Sequence, residues 1–322
     1  MRLVRFVDPA GGAPRLGALI DSDRRVVDLR AAHERSLVAE GAAAERASQI
    51  ADVVLGDTVA LIEAGQPGLQ IARAALSRAE ELGETLDADE LTFLAPLRPT
   101  RLRDCIAFET HMRNFLVEQN GQEIPPEYFE IPVYYKGNPR TVFGPDEEVP
   151  WPSYSEQWDY ELELGVVLGR EAVDVPVEEA EAQIFGLTCF NDFSARDTLR
   201  KEIAVGLGPG KAKDFATGLG PCLVTIDEIP DLYDLSMEAR VNGETWSTGS
   251  TRDIHWRFDR TISRMSAAEP LVPGEIFGSG TVANGCGLEL GRFLKDGDVV
   301  EIEIEHVGVL RNRVVDSARA AA

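Results

Sequence analysis

The chain is poor in the residues that usually mark a metal or redox site. Its 322 residues include four cysteines and four histidines. Cys105, Cys189, Cys222 and Cys286 are widely scattered, and none falls in a C-x-x-C pair. That spacing excludes a zinc ribbon and a disulfide framework, and it predicts free, partly buried thiols. Long apolar runs are also missing, so no membrane-spanning helix of about 18 or more residues is expected. The opening segment MRLVRFVDPAGG lacks the apolar stretch of a signal peptide, which points to a cytoplasmic protein. Positive charge is scarce: 32 Lys and Arg face 55 Asp and Glu, a formal net charge of −23. Such a surface repels phosphate backbones and anionic bilayers, so neither nucleic acid nor membrane is an expected partner. The one phosphate-loop-like stretch, VGLGPGKAK, has Val205 where a P-loop needs its first glycine. Its glycines read instead as a mobile loop leading to Lys213.

What is present is enough apolar residue, 44% of the chain, for a sizeable core. Residues 1–96 read as a small N-terminal α+β domain. Short strands in MRLVRFV and RLGALIDSDRRVVDL flank a turn at Asp21–Asp23. An Ala-, Glu-, Leu- and Arg-rich segment with helical spacing follows, broken into two helices at Gly65 and Pro67. Pro96 and Pro99 mark a linker. Residues 97–322 form the second domain, mostly strands, with helices expected at 177–184 and near 255–268 and an Asn-Gly hairpin in VNGE at 241–244. No repeat occurs, and low complexity is confined to the Ala-rich segment and the ARAAA tail.

The segment YELELGVVLG, residues 160–169, contains a conflict. Strand alternation puts Leu162, Leu164 and Val166 on one face, and Glu161, Glu163 and Gly165 on the other. Two carboxylates about 7 Å apart along one strand repel each other unless water or a positive charge intervenes. The run GVVLG marks the strand as buried, where an unpaired carboxylate is costly. About thirty residues on, the apolar strand end GLTCF delivers Asp192. Ser194 and Asp197 then have the spacing of a capping box that starts a helix. Two Glu and one Asp form an all-oxygen set suited to Mg²⁺, Mn²⁺ or Ca²⁺.

At this point the residues resemble a family. DYELELGVVLG followed by FGLTCFNDFSARD is similar to the metal-binding signature of the fumarylacetoacetate hydrolase family. GKAKDFATGLGP, VNGETWSTG, FGSGTVANGCGLELG and DGDVVEIEIEHVGVLRNRV follow in the family's order. The resemblance covers roughly residues 100–315. It implies an α+β, β-rich fold: a mixed β-roll or sandwich catalytic domain behind a small N-terminal α+β domain, commonly assembled as a homodimer. It also implies roles. Glu161, Glu163 and Asp192 match the metal ligands, and Asp104 matches a fourth acidic ligand seven residues before the catalytic histidine. His111 matches the general base, with His33, His255 and His306 as rivals on composition alone. Glu289 matches its orienting carboxylate, and Glu109 is the other candidate for that task. Lys213 and Thr281 match substrate-contacting positions, and Tyr135 a tyrosine at the substrate pocket. The chain also departs from the family. Leu199 and Ile203 stand where the diketone hydrolases carry a Gln and a Tyr, and Asn114 replaces the Glu of the short acylpyruvate hydrolases.

The resemblance therefore implies a divalent-metal-dependent hydrolase that cleaves a carbon–carbon bond in a small anionic diketo acid, acylpyruvate- or fumarylpyruvate-like. In that scheme the metal polarises the carbonyl, His111 activates water and Lys213 stabilises developing negative charge. The alternative is a lyase of the same family that dehydrates or decarboxylates a 2-oxo acid or sugar acid; tautomerisation would use the same platform. A metal-stabilised binding domain is the non-enzymatic alternative.

Overall fold

Strand pairing, rather than helix packing, sets the architecture. A computed structural model describes residues 1–9 and 11–316; the ARAAA tail at 318–322 lies outside them. The main sheet runs in the order Leu86–Asp87, Arg25–Asp28, Arg15–Ile20, Arg2–Val7, Thr217–Thr225, Ile184–Asp192, Leu162–Leu168, Ile276–Gly278, Leu102–Cys105, Tyr134–Lys136. The N-terminal strand Arg2–Val7 pairs antiparallel with Thr217–Thr225, so this sheet runs unbroken across residue 96. A second sheet, ordered Glu244–Ser250, Ser236–Val241, Val299–Ile304, Gly308–Asp316, Glu148–Trp151, lies against one face of the first.

Local chemistry explains the joints. Asp21, Ser22 and Asp23 all take positive φ in the expected turn, and Asn242 and Gly243 do so in the hairpin between Ser236–Val241 and Glu244–Ser250. The break between the helices Thr58–Glu63 and Gly65–Leu82 falls at Gly65, with φ +59°. Pro67 sits in the first turn of the second helix, where its missing N–H costs little.

Leu162–Leu168 is buried along its whole length because both of its faces are covered. Leu162, Leu164, Val166 and Leu168 join a core with Met237, Ile302, Leu310 and Val314 of the second sheet. Val167 joins a different core with Phe190, Leu219 and the helical residues Leu61, Leu69 and Ala72. Glu163 shares this second face with Val167.

Candidate active site and metal centre

Four adjacent strands frame the carboxylates: three carry or adjoin them, and Ile276–Gly278 supplies Gly278 between them. Leu162–Leu168 lies between Ile184–Asp192 and Ile276–Gly278, and Ile276–Gly278 pairs with Leu102–Cys105. Directly paired residues share a face. Glu163 opposes Phe190, and the row Gly165, Gly278, Asp104, Tyr135 crosses four strands on the same face. One oxygen from each of Asp104, Glu161, Glu163 and Asp192 lies within 4.8 Å of the others. All four residues are buried. Gly278 keeps the space between them open: a Cβ there would overlap both Asp104 Oδ1 and Glu163 Oε2.

Two cations are built into the rim. Lys213 Nζ donates to Glu161 Oε2 at 2.7 Å and also to Asp192 Oδ2. Arg196 donates through Nη2 to Glu161 Oε1 at 2.7 Å and through Nε to Asp159 Oδ2 at 2.6 Å. Five buried carboxyl groups thus face two fixed cations, so acids outnumber bases in the pocket. Burial pushes the Asp104 and Glu163 carboxyls well above the usual range, and mutual repulsion within the cluster adds to this. Burial raises Asp192 as well, against the pull of Lys213. Burial acts the same way on Glu161, but Lys213, Arg196 and His111 together hold it below its ordinary value.

A hard divalent ion fits this set. Glu163 Oε1 and Asp192 Oδ1 are buried with no hydrogen-bond partner, which an isolated protein rarely tolerates. The donors are all oxygen, and the local charge excess is the one such an ion neutralises.

A histidine paired with a glutamate stands beside this cluster. His111, 8% exposed, lies in the short helix Glu109–Met112. Its Nδ1 is 3.0 Å from Glu289 Oε2. Glu289 sits on a short helix, Gly287–Leu290, rather than on the strand that its alternation with Leu288 and Leu290 suggests. Burial would raise the Glu289 carboxyl, but contacts with His111 and Asn114 hold it below its usual value. Asn114 Nδ2 donates to Glu289 Oε1 at 2.9 Å. Glu109 turns instead to Arg113 and to His255 Nδ1, 3.6 Å away. Of the two candidate partners for His111, the structure brings Glu289 to it. His33, His255 and His306 all fall outside the carboxylate group.

Other expected residues divide. Tyr135 reaches the cluster: its hydroxyl donates to Asp192 Oδ2 at 2.7 Å. Thr281 does not contact the carboxylates; its Oγ1 donates to the Leu162 carbonyl at 3.3 Å, although the neighbouring Gly280 N–H donates to Glu163. The capping box at Ser194 and Asp197 is absent. Ser194 lies in the two-residue strand Ser194–Ala195 and donates to the Asp192 carbonyl, and the helix starts at Arg196 without a side-chain cap. Asp197 instead accepts from Ser155 Oγ and from the Glu156 and Thr198 amides. The physical reason is the pairing of Ser194 with Asp159, which holds it extended. Glu202 accepts from the Gly210 and Ala212 amides and ties down the far end of the glycine loop before Lys213.

Three residues at the site escaped assignment from sequence. Asp159 accepts from the Gly287 and Leu288 amides and so caps the helix that carries Glu289; it also accepts from the Tyr160 amide and from Arg196. The period of two that pairs Glu161 with Glu163 also includes Asp159, but Asp159 lies in a separate two-residue strand, Trp158–Asp159, and finds its own cation. Arg196, in SARD, is that cation. Gly278 gave no signal, because only the filled sheet shows why a side chain is excluded there.

Fold and site together fit a class: metal-dependent enzymes with a sheet-borne carboxylate cluster, here with a histidine–glutamate pair beside it. Residues 104–315 match the family model described as fumarylacetoacetate (FAA) hydrolase C-terminal. The chain belongs to the fumarylacetoacetate hydrolase family. It is 32% identical over 318 residues to human mitochondrial oxaloacetate tautomerase FAHD2A, covering 98% of this chain and 92% of that protein. It is 29% identical over 308 residues to oxaloacetate tautomerase YisK of Bacillus subtilis, covering 93% and 95%. In three dimensions it is similar to a maleylpyruvate hydrolase from Sphingobium sp. SYK-6 in complex with manganese(II) and pyruvate. That match has a TM-score of 0.71, 23% identity, and coverage of 98% and 99%. Among the described residues no helix is long and apolar enough to cross a membrane.

Proposed function

We propose that this protein is a divalent-metal-dependent keto–enol tautomerase of a small 2-oxo dicarboxylic acid of the oxaloacetate class. The reading is carried by one observation: its full-length likeness to relatives that bear that activity in their names. The site chemistry is consistent with it. Asp104, Glu161, Glu163 and Asp192 would hold a divalent ion, which would supply the Lewis acidity that makes the C–H beside the keto group acidic. Tautomerisation then needs one group to take a proton from carbon or oxygen and return it to the other. This reading gives the task to His111: Nδ1 lies 3.0 Å from Glu289 Oε2, which would orient the ring, and Nε2 is the nitrogen left to exchange the proton. Lys213 offsets negative charge at the reacting oxygens. Mg²⁺ or Mn²⁺ suits the donor set, and Ca²⁺ shares its chemistry.

A second reading, hydrolysis of a carbon–carbon bond in a diketo acid, is favoured by the same His111–Glu289 pair, which could also activate water. The two separate on mass balance. Enol-oxaloacetate and a panel of acylpyruvates and fumarylpyruvate are followed by loss of enol absorbance with metal or EDTA, and products are weighed. A tautomerase removes the enol signal of oxaloacetate without change of mass and speeds solvent deuterium into the carbon next to the keto group. Fragments that sum to substrate plus one water establish the hydrolase instead. In either case His111→Asn should lower kcat by about 10²–10⁴-fold. A variant with full activity would remove His111 from the mechanism.

A further inference from the structure

His111, Glu289 and Cys286 form a second group of potential ligands, distinct from the four carboxylates. One atom from each of the three lies within 4.8 Å of the others. Cys286 Sγ is 3.4 Å from Glu289 Oε2, and His111 Nδ1 is 3.0 Å from the same oxygen. In a tetrahedral zinc site, with Zn–S about 2.3 Å and Zn–N and Zn–O about 2.0–2.2 Å, neighbouring ligand atoms stand about 3.2–3.6 Å apart. The two measured separations lie close to those edges before any ion arrives. His111 is nine-tenths buried, and its Nδ1 makes no aligned hydrogen bond despite the short approach to Glu289. The donor set is one thiol, one imidazole and one carboxylate. It contrasts with the all-oxygen cluster next to it and selects a softer ion.

We propose that His111 Nδ1, Cys286 Sγ and a Glu289 oxygen form an inhibitory site for a thiophilic divalent ion of the Zn²⁺ class, with water in the fourth position. Binding forms one bond each to sulfur, nitrogen and oxygen and releases the thiol proton to solvent. The imidazole keeps at most one proton, and with the ion on Nδ1 that proton resides on Nε2. The ring then has no free nitrogen with which to accept another proton. The enzyme would thus be served by a hard ion at the carboxylates and stopped by a soft one at the base. The inhibitory consequence, though not the binding, rests on the reading of His111 as the general base.

The test uses the full chain kept in saturating Mg²⁺. Co²⁺ serves as the spectroscopic probe, because a cobalt–thiolate bond adds a near-ultraviolet charge-transfer band that carboxylate ligation lacks. One equivalent of Co²⁺ should produce that band in the native protein and not in Cys286→Ser. X-ray absorption of the zinc-loaded native protein, which needs no variant to fold, should show one sulfur and three nitrogen or oxygen neighbours. Zn²⁺ should inhibit tautomerisation, and Cys286→Ser should raise the half-inhibiting concentration at least about tenfold relative to that variant's own uninhibited rate. Absence of sulfur from the zinc shell, or a cobalt–thiolate band that survives in Cys286→Ser, overturns the site. Equal zinc inhibition of both proteins assigns inhibition to the carboxylates and overturns its regulatory role. A thiolate band in a protein with no tautomerase or hydrolase activity leaves the site standing and removes the proposed function instead.

Discussion

At the scale of single residues, the chemistry depends on how buried charges are shared. Asp159 hydrogen-bonds to neither His111 nor the four clustered carboxylates, yet it joins the two groups. One side of it caps the helix carrying Glu289; the other holds Arg196, which holds Glu161. Asp159→Asn keeps the shape but leaves the Arg196 charge divided differently, so Arg196 should draw more strongly on Glu161 and weaken its hold on a metal ion. The expected result is a fall in Mg²⁺ or Mn²⁺ affinity of about 10–100-fold, the range seen when a ligand's supporting partner is lost. Isothermal titration of the metal measures it. Unchanged affinity together with reduced activity would confine Asp159 to the Glu289 side. Legibility in the sequence followed the same division. Glu161 and Glu163 declared themselves because two charges on an apolar strand violate a local rule. Asp159 and Arg196 satisfy each other, and nothing in the local pattern shows which distant partner a charged residue will find.

At the scale of elements, the site exists because four strands meet in one register, and Gly278 is where that register leaves room. The Asn-Gly hairpin, the Asp21–Asp23 turn and the break at Gly65 could be read from sequence because each rests on backbone preferences of neighbouring residues. The start of the helix at Arg196 could not. Its S-x-x-D signal is local, but the pairing of Ser194 with Asp159 across the chain overrides it. The short helix under Glu289 was hidden for a related reason, since its cap comes from Asp159, 128 residues away. Gly278→Ala tests the register argument. The added methyl would overlap oxygens of Asp104 and Glu163 in a close-packed sheet, so both must move apart. Metal binding should be lost, and a cost of about 1–3 kcal/mol is expected from overpacking. Metal-induced stabilisation in thermal melts reads the first effect and urea unfolding of the metal-free protein the second. Retained metal affinity would mean that the carboxylates close on the ion from a wider spacing than the strands impose.

At the scale of the whole molecule, the buried cluster links metal, protons and stability. The strand carrying Glu163 belongs to the sheet that begins with the N-terminal strands, so strain at the carboxylates is felt across the fold. In the metal-free protein Asp104, Glu163 and Asp192 have raised pKa values, so the folded state holds protons that the unfolded chain gives up above about pH 4. Where the folded state binds more protons, stability falls as pH rises, from the unfolded value through the raised folded ones. Glu161 works with the opposite sign, but its contribution is complete above the unfolded carboxyl value and is lost only at lower pH. His33, pushed down by burial, adds a rise in stability as pH passes through the histidine range. That rise is common to both forms and cancels when metal-bound and metal-free protein are compared. A divalent ion requires ionised ligands, so binding releases the extra protons and strengthens as pH rises. The difference in melting temperature between Mg²⁺-loaded and EDTA-treated protein should therefore be larger at pH 8 than at pH 5.5. At one hundred times the dissociation constant the stabilisation is about 2.7 kcal/mol. Melts at matched ionic strength across this range provide the measurement. A difference that stays flat or shrinks with pH would show that the cluster is already ionised without metal, and that Lys213 and Arg196 alone suffice to hold it.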